Sequence, residues 1–148
     1  YNRRCFYQYI HNNRGSRTVS LMYIDLDRFK EVNDTYGHKV GDAVLVHTAD
    51  VLRRLFRDDF VARLGGDEFL VVRLGKCSMD QMEQEAEAFL KEMKTAFMAA
   101  EQTVSLSASV GIAQSSDSMV DIDALLQRSD QALYQAKKAG RSRYCVYR

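Results

Sequence analysis

Two adjacent glycines, Gly65 and Gly66, divide two short apolar runs, Phe60-Val61-Ala62-Arg63-Leu64 and Phe69-Leu70-Val71-Val72. That pattern commits the middle of the chain to a β-hairpin, because tight primed turns demand the positive φ that glycine adopts freely. It also places two acids, Asp67 and Glu68, where the second strand leaves the turn. Acids at a hairpin tip are either solvated charge or one half of a site that another strand completes. The hairpin alone does not choose between them.

The flanking segments supply the other elements. Residues 3–12 read as a helix ending near Asn12-Asn13-Arg14-Gly15, and Val19 to Asp25 is an apolar run of strand length. Phe29 to Tyr36 reads as a short helix stopped by Gly37. Val40, Val44, His47, Val51, Leu52 and Leu55 then recur at helical spacing to about Arg57. Ser78 with Gln81 three residues later is a capping-box signature. It opens a helix whose face is Met79, Met82, Ala86, Phe89, Leu90, Met93 and Phe97, with the methionines as core filler. Thr103 to Ala113 alternates with period two, as a strand does. Ile122, Leu125, Leu126, Ser129, Leu133 and Ala136 define a last helix, with Lys137 and Lys138 in its final turn and Gly140 as its stop. Tyr144 to Tyr147 can add a strand. A β-α-β-β-α-β core within this order predicts an α+β, ferredoxin-like (split βαβ) fold: a central antiparallel sheet with helices on one face.

A chain of 148 residues, 46% hydrophobic and 28% charged, matches one globular domain. It begins at Tyr1 without Met, in a segment already helical in pattern, and is expected to be a single domain (1–148) excised from a longer protein. A sensor or membrane anchor could precede it. No apolar run is long enough to span a bilayer, so no membrane contact is expected of the domain itself. A net charge of +1, from 21 basic and 20 acidic residues, leaves no global footprint for nucleic acid. Any anion site must be local. Cys5, Cys77 and Cys145 are odd in number and widely spaced, which argues against a disulfide framework or a zinc site and suits a reducing, cytoplasmic setting.

The second informative stretch, Tyr23-Ile24-Asp25-Leu26-Asp27-Arg28-Phe29-Lys30, starts as an apolar strand and turns acidic at its end. An ionised carboxylate there needs a partner or a cation. In a split βαβ sheet the first strand lies antiparallel beside the third, so Asp25 would meet Asp67 at one edge. A hard cation with oxygen ligands is the natural neutraliser, and Mg²⁺ suits a site with few protein carboxylates. The alternative is two solvated acids that never meet. Position six of an EF-hand loop would be Lys30 instead of Gly, and neither a P-loop nor a dinucleotide fingerprint is present. His11, His38 and His47 have no metal spacing, and His47 reads as a packed, satisfied histidine on a helix face.

Gly65-Gly66-Asp67-Glu68-Phe69 resembles, letter for letter, the signature of the GGDEF family of diguanylate cyclases. Four further blocks are similar to that family in the same order. They are Asp25-x-Asp27-x-Phe29-Lys30-x-x-Asn33-Asp34-x-x-Gly37-His38-x-x-Gly41-Asp42, Ala62-Arg63, Ser107-x-Ser109-x-Gly111-Ile112-Ala113, and Ala132-Leu133-Tyr134-x-Ala136-Lys137-x-x-Gly140-Arg141. Asn2-Arg3-Arg4 resembles the end of the family's opening motif.

The resemblance implies a nucleotidyl-cyclase palm that condenses two GTP into cyclic di-GMP, releasing two pyrophosphates, across an antiparallel homodimer. It implies that Asp25, the Leu26 carbonyl, Asp67 and Glu68 serve Mg²⁺, with Mn²⁺ a substitute. Asp67 or Glu68 would accept the proton, and Lys30 would neutralise phosphate charge. Asn33 and Asp42 would read guanine, with His38 beside them, and Gly65 and Gly66 would admit the phosphates. Lys137 and Arg141 would grip the outer phosphates, although two cations at a helix C-terminus also suit the macrodipole without any ligand. A catalytically silent, GTP-binding regulatory module is the alternative.

One departure concerns the family's Arg-x-x-Asp product-inhibition site. Its window here is Phe56-Arg57-Asp58-Asp59, with Phe56 in place of the arginine. Phe cannot supply the planar fork that binds guanine and phosphate, so no tight product binding is expected.

Overall fold

Strand β1 (Val19–Leu26) has all eight residues buried, and the sheet is built outward from it. The computed structural model describes residues 2–115 and 121–148. Helix α1 (Arg3–Asn13) precedes β1, and α2 (Phe29–Tyr36) and α3 (His38–Leu55) follow it. The hairpin is β2 (Phe60–Arg63) and β3 (Glu68–Leu74). Then come α4 (Met79–Lys94), β4 (Phe97–Ala99), β5 (Gln102–Val104), β6 (Ala108–Gln114), α5 (Ile122–Lys138) and β7 (Tyr144–Val146).

The five-stranded sheet has the order β2-β3-β1-β6-β7. β1 runs antiparallel to both neighbours, with Asp25 opposite Glu68 on one side and Ser109 on the other. The edge strand β7 is parallel to β6, so the sheet is mixed where an antiparallel one was expected.

The helices cover both faces of the sheet, not one. Alternation along β1 sends Met22, Ile24 and Leu26 to a core shared with α2, α3 and α4. Leu21 and Tyr23 face α1 and α5 on the other side, with Phe6, Ile10, Leu125 and Leu133. A strand buried on both faces reads as a continuous apolar run, and that is how β1 reads.

Local chemistry sets the helix ends. Asn2 caps α1 by accepting from the Cys5 N–H at 3.0 Å, and Ser78 caps α4 by accepting from the Gln81 N–H at 3.1 Å. Each such cap contributes about 1 kcal/mol. Gly37, at φ +90°, separates α2 from α3. α5 lies so close on β6 that a Cβ on Gly111 would fall 2.1 Å from the Ser129 carbonyl oxygen. That contact seats the helix whose last turn carries Lys137.

Two expectations about elements need correction. The alternating segment from Thr103 to Ala113 is two strands: β5 pairs with β4 in a small separate hairpin, and β6 joins the main sheet. The break falls at Ser107, whose carbonyl accepts from the Asp27 N–H at 2.9 Å and whose hydroxyl donates to Asp27. Phe97, assigned by spacing to the α4 face, belongs to β4 and stacks on His47 with ring centroids 3.6 Å apart. His47 is therefore packed but not satisfied: among the described residues its buried Nε2 has no partner, and burial lowers its pKa.

Candidate active site

The C-terminal end of β1, the β2–β3 turn and the last turn of α5 converge at one edge of the sheet. The Leu26 N–H donates to the Asp67 carbonyl at 3.1 Å, which brings Asp67 beside the end of β1. Asp25 and Glu68 face each other in register, and directly opposed residues share a sheet face.

Asp25 is 7% exposed. Its Oδ2 accepts from Lys137 Nζ, while its Oδ1 is buried with no partner among the described residues. Burial pushes its pKa up to about 6; the Asp67 charge adds to the rise and Lys137 opposes it. A buried carboxylate oxygen left unpaired beside a second acid is an incomplete arrangement, and a cation would complete it. The donors fit a hard dication: two carboxylates, with the Leu26 carbonyl at the strand end. Among the described residues no group of three or more His, Cys, Asp or Glu gathers as a metal cage. Mg²⁺ suits such a site because it keeps waters and substrate phosphates in its shell.

Glu68 is held at one oxygen. Its Oε2 accepts from the Tyr23 hydroxyl at 3.1 Å, and its Oε1 lies 2.7 Å from where a Cβ on Gly65 would stand. Burial and the Glu68 charge push the Tyr23 pKa up to about 12, so Tyr23 stays a donor near neutrality. The positive-φ rationale for the turn glycines is overturned, since neither Gly65 nor Gly66 has φ in the left-handed region. At Gly65 a side chain would instead push the Glu68 carboxylate out of its present position. Gly66 has open space where a side chain would be, and its carbonyl accepts from Arg63 at 2.8 Å.

The remaining candidates surround this edge. Lys30 and Asn33 lie on α2, and His38 and Asp42 at the start of α3, with Lys30, His38 and Asp42 exposed. The Asn33 carboxamide rests against Gly41, whose Cβ would fall 1.8 Å from Asn33 Oδ1. Arg141 stands beyond α5 at φ +62°, exposed, while Lys137 turns inward to Asp25. The two cations therefore do not form one helix-end pair.

Sequence reasoning passed over two groups, Tyr23 and the cluster at Asp27. Asp27, 6% exposed, accepts from Ser107 Oγ at 2.6 Å, Ser109 Oγ at 2.7 Å and the Ser142 N–H at 3.0 Å. This ties β1, β6 and the turn after α5 together behind the acid pair. Strand parity was the available signal for Tyr23, since it shares a face with Asp25.

At the other end of the hairpin, Phe56 is 2% exposed in the core. Asp59 is gripped by Arg73, with Nη2 to Oδ2 at 2.6 Å and Nε to Oδ1 at 3.0 Å. Arg73 also pairs with Glu85 at 2.6 Å.

Residues 1–143 match the family model described as "Diguanylate cyclase, GGDEF domain". Over 137 residues the chain is 39% identical to the cyclic di-GMP phosphodiesterase PdeR of Escherichia coli K12, covering 92% of this chain and 21% of that protein. It is also 39% identical over 136 residues to the diguanylate cyclase DosC of the same strain, covering 90% and 29%. The chain thus spans less than a third of either relative. The active GGEEF domain of a diguanylate cyclase from Vibrio cholerae superposes with a TM-score of 0.80 at 32% identity, covering 99% of this chain and 91% of that one.

Proposed function

The chain belongs to the GGDEF diguanylate cyclase family, and we propose that it is a working cyclase domain: it condenses two GTP into cyclic di-GMP and two pyrophosphates. The observation that carries this reading is Asp25, buried, with one oxygen unpaired, beside Asp67 and opposite Glu68. Silent descent from an enzyme would not need to keep so costly an arrangement intact.

Asp25, the Leu26 carbonyl and Asp67, with Glu68 nearby, would hold Mg²⁺ or Mn²⁺. When bound, the cation supplies Lewis-acid polarisation of the phosphoryl oxygens. Asp42 accepts from guanine's N1–H and exocyclic amine, and the Asn33 carboxamide reads the same base, with His38 beside them; adenine has an acceptor at N1 and no 2-amine to offer that carboxylate. Lys30 and Arg141 neutralise phosphate charge, and Lys137 does so on leaving Asp25. The open face of Gly66 admits the phosphates. Two domains, each with one GTP, meet antiparallel. Each 3′-hydroxyl oxygen bonds to the opposite α-phosphorus, the bond to the bridging oxygen of the β-phosphate breaks, and pyrophosphate leaves. The hydroxyl proton passes to a carboxylate oxygen of Asp67 or Glu68. Phe56 in the core and Asp59 held by Arg73 support a domain without the family's product-inhibition site.

A second reading has one observation in its favour: a relative at 39% identity carries the name of a phosphodiesterase. On that reading the domain binds GTP and regulates an attached partner. Incubation of a demonstrably dimeric preparation with GTP and Mg²⁺ separates the two. Cyclic di-GMP from GTP and no cyclic dinucleotide from ATP is expected; GTP binding without product would establish the silent module instead.

A further inference from the structure

Between α2, the bend at Ser105–Ser107 and the turn after α5 lies a cavity of about 610 Å³, within the range of small-ligand sites. Three cations line it from three separate elements: Arg28 at the head of α2, Lys94 in the last turn of α4, and Arg141 beyond α5. Among the described residues, none of these side chains has a hydrogen-bond or ion-pair partner.

Two acids share the lining, Asp27 and Glu31. Asp27 is spent inward, since three donors within 3.0 Å satisfy both of its oxygens. That leaves Glu31 against three cations, a local positive excess in a chain whose net charge is only +1. The Ser105 and Ser107 residues add polar lining. Like charges converging on one cavity repel unless an anion neutralises them, and forked guanidinium groups select phosphate oxygens. The guanine readers Asn33 and Asp42 do not line this cavity, but Arg141, assigned above to the outer phosphates, does.

We propose that this cavity is a second anion compartment that takes inorganic pyrophosphate, with Lys94 and Arg28 as its own cations and Arg141 shared with the GTP site. The cyclase reading supplies the source of the pyrophosphate, whereas the compartment itself rests on the cation cluster. Pyrophosphate leaving the α-phosphate would pass Arg141 into the cavity, clearing the path of the reverse reaction.

The test is calorimetry with inorganic pyrophosphate on the whole chain and on Lys94→Ala, whose side chain is solvent-facing at a helix end. Arg28→Gln provides a second variant. Lys94→Ala should weaken pyrophosphate binding about tenfold, the loss of one charge-assisted contact, and leave GTP affinity within about twofold. Orthophosphate should bind more weakly than pyrophosphate and respond less to the substitution. Under turnover, the pyrophosphate inhibition constant should rise by the same factor. Unchanged pyrophosphate affinity in both variants overturns the compartment. Parallel loss of GTP and pyrophosphate also overturns it, because one triphosphate seat would then explain both. If wild type binds pyrophosphate through Lys94 but makes no cyclic di-GMP, the compartment stands and the cyclase reading falls.

Discussion

Lys137 forms an ion pair with Asp25 across 112 positions of sequence, joining the last turn of α5 to the end of β1. The ammonium satisfies one carboxylate oxygen and leaves the other buried with no partner among the described residues. Asp25 is thus half-neutralised, with its second oxygen available to a metal ion. Binding a dication here and releasing Lys137 toward phosphate would be a single exchange of partners.

The raised pKa of Asp25 makes a stability prediction with a definite sign. Its value in the fold is about 6 against 3.8 for the free group, so the folded chain holds this proton more tightly than the unfolded one. The group's contribution to stability is therefore greatest below about pH 4, falls as pH rises toward 6, and is flat above. Without metal, Asp25→Asn should stabilise the protein at pH 7.5 by about 1 kcal/mol, or roughly 3 °C in Tm, after allowing for the lost Lys137 pair. The gain should vanish at pH 4. Melting curves in chelator at the two pH values check this, and an equal effect at both would contradict the assignment.

Asp67 tests the chemistry apart from the fold. It lies in the turn beside the end of β1, and its charge opposes ionisation of Asp25. Asp67→Ala should reduce cyclic di-GMP formation at least about a hundredfold, as loss of a metal-edge carboxylate would. Its Tm should hold or rise, because like-charge repulsion is relieved. Residual turnover above a hundredth of wild type would remove Asp67 from the metal site.

Gly41 offers a test of guanine recognition without touching a polar group. An alanine Cβ there would stand 1.8 Å from Asn33 Oδ1 and 3.4 Å from Phe29 Cζ, so the Asn33 carboxamide must turn. Alanine in a helix otherwise gains about 0.5–1 kcal/mol over glycine. Gly41→Ala should therefore keep or raise Tm while raising the KM for GTP about tenfold, with kcat little changed. Asn33→Ala combined with Gly41→Ala should be no worse than Asn33→Ala alone. Additive losses would show that Gly41 acts through something other than Asn33.

The parts of the site legible in the sequence are those set by strand pairing and period. Once β1 was placed beside the hairpin, Asp25 had to approach Asp67, and the antiparallel register delivered it. The helical stripes of α3 and α4 located their cores for the same reason. What stayed hidden depends on side-chain geometry in three dimensions. Gly65 reads as a turn requirement, but its φ lies outside the left-handed region and its open side faces the Glu68 carboxylate, which only the course of that side chain reveals. The break at Ser107 was masked because the alternation of apolar residues continues through it while the backbone leaves to bond Asp27. Which sheet face each helix covers follows from handedness and packing rather than from any local pattern.

The product-inhibition site is a last case in which sequence and structure argue together. Restoring the missing arginine by Phe56→Arg should not restore product binding. Phe56 is 2% exposed in the core, so a guanidinium at its position would be buried unpaired and cost about 3 kcal/mol or more of stability. The second half of the motif is committed as well, because Asp59 is forked by Arg73, which Glu85 holds from the other side. Asp59→Ala should cost about 2 kcal/mol in denaturant unfolding, less than a fully broken buried pair because Glu85 retains Arg73. It should leave turnover and cyclic di-GMP affinity where they were. Calorimetry that found micromolar cyclic di-GMP binding in wild type, lost in Asp59→Ala, would establish that Asp59 serves the product and not the fold.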